Sequence, residues 1–117
     1  MNAEEMKRRT KQFAVKVVLM SDAIPKTPAG KRIAGQFVGA GTSVGANYRA
    51  ACRARSRAEF NSKLQIAQEE ADESGYWIEV LLEAGMVTGS EWLVLYKEAD
   101  ELTAILTSAL ITSRGLR

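Results

Sequence analysis

Arg49, Arg53, Arg55 and Arg57 crowd into one short stretch of the chain. A guanidinium is a planar fork of N–H donors that matches phosphate oxygens, so several forks in a row can grip a nucleic-acid backbone without reading its bases. Arg49 and Arg53 stand four apart, the spacing of one helix face, and Arg55 and Arg57 carry the charge into the turn that follows. Lys7, Arg8, Arg9 and Lys11 form a second basic group, which extends this surface if the first helix lies alongside the second. Charge is uneven over the whole chain in the same sense. Residues 1–57 carry 12 basic side chains against 3 acidic, and residues 58–117 carry 4 against 11, although the net charge is only +2. Lysines and arginines gathered to displace condensed counterions give this asymmetry. Two basic helices packed on two acidic ones give it equally, with Glu69, Glu73 or Glu79 holding the arginines, and charge alone leaves both readings open.

Catalytic chemistry finds little support elsewhere in the chain. The absence of histidine removes the commonest general base, the triads built on it and the commonest metal ligand. Cys52 is the only cysteine, so no internal disulfide or cysteine metal cluster can form. Without a histidine base beside it, Cys52 is expected to act as a small helix-packing residue. The stretch Gly39-Ala40-Gly41-Thr42-Ser43-Val44-Gly45 misses the dinucleotide spacing, lacks a P-loop ending and follows no strand. Glu69, Glu70, Asp72 and Glu73 fall off the apolar stripe and lack the Glu-x-x-His pattern of a bundle metal centre, so they are expected on a solvated or ion-paired face. The expectation is a protein that is not an enzyme and needs no metal and no cofactor.

The elements that position these residues read as helical throughout. A chain of 117 residues with 46% hydrophobic content suffices for one core, expected as a single domain over residues 1–117. Both prolines, Pro25 and Pro28, sit in one loop. Four apolar stripes at helical spacing follow one another. They run from Met6 through Thr10, Phe13 and Val17 to Ile24; from Ile33 through Phe37, Ala40, Val44 and Asn47 to Ala54; from Phe60 through Leu64, Ala71 and Ser74 to Leu81; and from Trp92 through Leu95, Leu102 and Leu106 to Ala109. Thr27 before Pro28, the box Ser56-Arg57-Ala58-Glu59, and Thr88 or Ser90 read as helix starts, and Gly85 as a left-handed helix end. Helices are therefore expected at about 3–23, 28–54, 57–84 and 90–113, folded as an all-α, up-down-up-down antiparallel four-helix bundle. Gly35, Gly39, Gly41 and Gly45 each disfavour the second helix by up to about 1 kcal/mol relative to alanine, so close helix approach is expected to offset them. Asn47 falls on a core stripe, where an unpartnered amide costs about 1–3 kcal/mol. It is expected to bond across to a neighbouring helix with Ser43 or Ser74 for company, which makes Asn47 and Ser43 a structural polar core. The acidic first residues and the lack of an apolar run of about 18 residues argue for a cytoplasmic protein without membrane contact.

The stretch from Gln36-Phe37 through Thr42-Ser43-Val44-Gly45-Ala46-Asn47, followed by Arg53-Ala54-Arg55-Ser56-Arg57-Ala58-Glu59-Phe60, resembles the four-helix proteins encoded in intervening sequences of bacterial large-subunit ribosomal RNA genes. The turn Glu83-Ala84-Gly85-Met86-Val87-Thr88-Gly89-Ser90-Glu91-Trp92 resembles that family's third loop, and the likeness runs over roughly residues 10–112. Gly45 stands where the family usually has proline, Val38-Gly39 where a basic pair is frequent, and Ala50 where an acidic residue is typical. The resemblance implies a four-helix protomer, a ring-shaped homopentamer and no established enzymatic activity. The family is also similar to the accessory protein of diversity-generating retroelements, which implies RNA or DNA and a reverse transcriptase as partners.

Tyr76, Val80, Leu93 and Val94 fit no inner stripe, and Tyr76 and Val80 stand four apart on one outer face. With the ring that the resemblance implies, they are expected to form the contact between protomers. The resulting expectation is a homo-oligomer that associates with nucleic acid through Arg49, Arg53, Arg55, Arg57, Lys7, Arg8 and Lys11. The alternative is an assembly or protein-adaptor module with no nucleic-acid binding.

Overall fold

Local chemistry sets where each helix of the computed structural model begins; residues 1–115 are described. Helix α1 spans Ala3–Met20, α2 Pro28–Cys52, α3 Arg57–Glu83 and α4 Ser90–Ser113. Asn2 Oδ1 accepts the Glu5 amide at 2.9 Å, Thr27 Oγ1 the Gly30 amide at 3.1 Å, and Ser56 Oγ the Glu59 amide at 3.0 Å. Each cap satisfies one donor that a helix start leaves over. The box at Ser56 closes one residue early, because Glu59 Oε2 accepts the Arg55 amide at 3.2 Å. Helix α4 departs from expectation: Gly89 is its N-cap, at φ +116, and no side chain caps it. Neither Thr88 nor Ser90 fills that role, since Ser90 already lies inside the helix. Gly85, at φ +69, lets the Met86 amide donate back to the Leu81 carbonyl at 3.0 Å and ends α3 in the expected left-handed turn. At its far end α1 stops at Met20, and Ser21–Ala23 tighten into a single 3-10 turn.

Consecutive helices pack side by side and antiparallel, which gives an up-down-up-down bundle measuring 44 × 22 × 22 Å. The four stripes meet along its axis. Met6, Phe13 and Val17 of α1, Phe37 and Val44 of α2, Leu64, Ile78 and Leu81 of α3, and Trp92, Leu95, Leu102 and Leu106 of α4 are buried together. Phe37 and Trp92 tilt against one another with ring centroids 5.7 Å apart. Two polar residues on the stripes, Thr10 and Ser74, are fully buried, and each donates to a carbonyl of its own helix, Met6 at 2.9 Å and Glu70 at 2.7 Å. Asn47 behaves differently from expectation. It is half-buried at the margin of the α2 stripe, and its Nδ2 donates to the Ser43 carbonyl at 2.9 Å within the same helix. At that margin the carbonyl one turn back is within reach, so the amide needs no partner on another helix. Ser43 donates to the Gly39 carbonyl at 2.6 Å, and on α3 the Glu70 carboxyl is pushed up, first by burial and then by the neighbouring Glu73.

Two of the five α2 glycines carry the close approach to α1. A Cβ on Gly41 would stand 2.6 Å from Val17 Cγ2, and one on Gly45 would stand 3.1 Å from Thr10 Oγ1. Gly35 and Gly39 face open space, so nothing in the packing offsets their helix cost. Helix α1 is thereby drawn onto α2, while it meets α4 only sparsely. The contrast gives an expected outcome in urea unfolding: Gly39→Ala should stabilise by up to about 1 kcal/mol. Gly41→Ala should instead destabilise by about 1–3 kcal/mol through overpacking against Val17.

Candidate nucleic-acid interface

An even number of antiparallel helices brings the start of α1, the end of α2, the start of α3 and the end of α4 to one end of the rod. Side chains join them there. Arg57 Nη1 donates to the Ser113 carbonyl at 3.0 Å, Arg114 bonds to Gln65, and Tyr48 shares a hollow with Asn2, Met6 and Ile105. Helices α2 and α4 both finish at this end, and the negative ends of their dipoles favour the cations that crowd it.

Arg49, Arg53, Arg55 and Arg57 are all exposed. Among the described residues no carboxylate forms a salt bridge with any of them. The reason is axial distance. Glu69, Glu73 and Glu79 stand 12, 16 and 22 residues beyond Arg57 on the same α3, so at about 1.5 Å per residue they lie roughly 18, 24 and 33 Å up the rod. Glu59, the one acid close by in sequence, spends its carboxylate on the Arg55 amide. Arg114 joins the same end from the last turn of the chain. Sequence reading passed over it, although the parity of four antiparallel helices is enough to place position 114 beside position 57.

The N-terminal group divides. Arg8 and Lys11 are exposed, and Lys7 pairs with Glu4 one turn earlier at 3.2 Å. Arg9 turns away from them to the α4 side of α1. Its Nε and Nη2 donate to both oxygens of Glu98 at 2.7 and 2.8 Å, and Nη2 reaches Glu101 at 2.9 Å. Here the expected pairing of early cations with late carboxylates does occur, and Arg9 leaves the free basic set. Hydrogen bonding from Arg9 holds the Glu98 carboxyl below its ordinary range against the opposing effect of burial, and Glu98 in turn raises Arg9. Tyr48 is pushed up to about 12, first by burial and then by the neighbouring Cys52, so its hydroxyl stays neutral at the basic end.

The residues expected at a protomer contact do not form one surface. Tyr76 and Val80 line a shallow hollow on α3 with Glu79 and Glu83, whereas Val94 lines a groove between α1 and α4. Leu93 is 56% exposed on the first turn of α4 and lines neither. Val15, Val18 and Leu19 add three exposed apolar residues on α1 that sequence reading missed. Their signal was their position off the Met6–Val17 stripe, among lysines that drew attention to charge.

The family described as 23S rRNA-intervening sequence protein matches residues 3–108. The chain belongs to that family. A solved relative, described as a protein with unknown function from the S23 ribosomal protein family of Bacteroides thetaiotaomicron, is 32% identical. It superposes with a TM-score of 0.83 over 94% of this chain and 98% of that one. No curated protein gives a match. Family membership agrees with the bundle and with the turn chemistry at Ser56 and Gly85. Among the described residues no helix is long and apolar enough to cross a membrane.

The Arg9 fork yields a pH-dependent outcome. A carboxyl whose pKa is lowered in the folded state adds stability above its unfolded value, about 4.3, and loses that contribution as pH falls through the folded value. The stability difference between the native chain and Arg9→Met should therefore be largest near neutral pH and shrink steadily below about pH 4.3. Urea titrations at successive pH values measure it, and a difference that stays constant to pH 2 refutes the role of Glu98.

Proposed function

We propose that this member of the family is a non-enzymatic, homo-oligomeric cytoplasmic protein that holds nucleic acid by its phosphate backbone. The observation that carries the reading is the state of Arg49, Arg53, Arg55 and Arg57, which stay exposed at one end of the rod without a carboxylate partner among the described residues. Arg8, Lys11 and Lys7 widen that surface from α1, and Arg114 from α4. Guanidinium forks presented by helix ends and a turn, with no groove-sized recognition helix among them, suit backbone contact more than base readout. Repetition around a ring, five copies on the family resemblance, multiplies one modest patch into a continuous cationic band. A reverse transcriptase fits the reading as a partner that meets the same nucleic acid. An adaptor that ignores nucleic acid is the competing outcome of the test below.

Four phosphate contacts on duplex predict a salt slope of about −3.6, which weakens binding roughly 100-fold between 50 and 200 mM salt. Fluorescence anisotropy with two unrelated RNA and two unrelated DNA oligonucleotides reads this directly. Arg49→Glu with Arg53→Glu should weaken all four probes alike and flatten the slope by about 2. Neither side chain makes a hydrogen bond or ion pair among the described residues, so the fold should survive, which circular dichroism checks. Affinity unchanged by the double reversal, or a folded oligomer that binds no probe at physiological salt, overturns the proposal.

A further inference from the structure

We propose that copies of this chain join by inserting the outer ridge of α1 from one protomer into the open α1–α4 groove of the next. The inference rests on the homo-oligomeric reading above and names the surfaces that reading leaves unassigned. The groove is about 700 Å³, floored by Leu19, Met20, Val94 and Leu95 and rimmed by charges of both signs, among them Lys16, Glu91 and Lys97. It exists because α1 leans onto α2 at Gly41 and Gly45 and leaves α4 bridged chiefly by the Arg9 fork. Val94 is 60% and Leu19 66% exposed on its walls.

The ridge lies on the same helix and adjoins the groove at Leu19. Val15 and Val18 are 52% and 48% exposed, and with Lys11, Ala14 and Leu19 they line a separate apolar hollow of about 230 Å³. At about 100° per residue they face away from Lys16 and Met20, so one protomer cannot seat its own ridge in its own groove. Two unlike apolar faces that adjoin on one helix but open in different directions suit a head-to-tail contact, in which each copy gives a ridge to one neighbour and a groove to the other. Charge is complementary as well. Lys11 flanks the ridge and Glu91 rims the groove, and neither has an ion-pair partner among the described residues of its own protomer. Tyr76 and Val80 lie on α3, outside both faces. A contact of this kind leaves Arg49, Arg53, Arg55 and Arg57 in solvent at the far end of the rod from Val94, so Lys11 is the one residue of the basic set that assembly draws on.

Light scattering on size-exclusion peaks tests the contact with two variants at exposed sites, Val18→Glu, which spoils the ridge, and Val94→Glu, which spoils the groove. The native chain should run as an oligomer, and each variant alone as a 12.8 kDa monomer with native circular dichroism. Mixed in equal amounts, they should form a dimer, because Val94→Glu still offers an intact ridge and Val18→Glu an intact groove. The swap Lys11→Glu should weaken association of the native chain, and adding Glu91→Lys should restore it. A monomeric native chain overturns the proposal, and so do variants that stay oligomeric or a mixture that stays monomeric. Should Val18→Glu lose its helical signal, Val15→Glu takes its place under the same criteria. Retained anisotropy by folded monomers shows that the nucleic-acid reading stands even where this contact fails. Loss of binding by Arg49→Glu with Arg53→Glu in an intact oligomer separates the two in the other direction.

Discussion

Helix α1 rests on α2 through two missing side chains. Gly41 admits Val17 and Gly45 admits Thr10, at distances where any Cβ would collide with the valine methyls or crowd the threonine. Interaxial distance follows the bulk at the contact, so glycine at both points lets the two backbones approach and sets the tilt of α1. Thr10 fits this seam because its hydroxyl is already satisfied by the Met6 carbonyl and makes no demand on α2. Drawing α1 toward α2 moves it away from α4. The square of four helices is left with one loose side, held by the Arg9 fork and otherwise open. A half-buried fork of this kind substitutes directional hydrogen bonds for the apolar packing that closes the other three sides.

The uneven charge of the chain takes its meaning from the same architecture. Antiparallel helices pair the end of α2 with the start of α3, so arginines at 49–57 meet residues near 57–61 and not the acids at 69–83. The acidic half lies along the middle and far end of the rod, and the basic half dominates the near end. Exposed cations without a salt bridge among the described residues are cheap to keep in water and free to exchange counterions with a polyanion. Arg9 shows the contrary case within the same chain. It stands on the flank of α1 that faces α4, level with Glu98 and Glu101, and is consumed by them.

The helices themselves were legible because burial repeats at helical spacing, and the stripes read from Phe13, Phe37, Leu64 and Trp92 are the ones that pack together. Caps were legible where a side-chain oxygen precedes a polar first turn, as at Thr27 and Ser56. They were misread at α4, where Gly89 with a positive φ leaves Thr88 outside and Ser90 inside the helix. Asn47 was misplaced for a related reason. A stripe fixes a direction to within about one residue's rotation, 100°, and the margin of a stripe is where a half-buried amide can bond its own helix. The glycines illustrate the same limit from the other side, since five of them share one helix and only two face a neighbouring helix.

Residue order therefore determined which segments become helices, how many there are, and, through their even count, that both chain ends and the α2–α3 turn gather at one basic end. Those outcomes depend on periodicity and connectivity, both of which are local or topological. Which arginines stay wet, which one is clasped, and where apolar side chains are left without cover were decided by the rotation of each helix and the lean of α1. Such quantities arise from many simultaneous contacts between residues far apart in the chain, so no single stretch of it contains them.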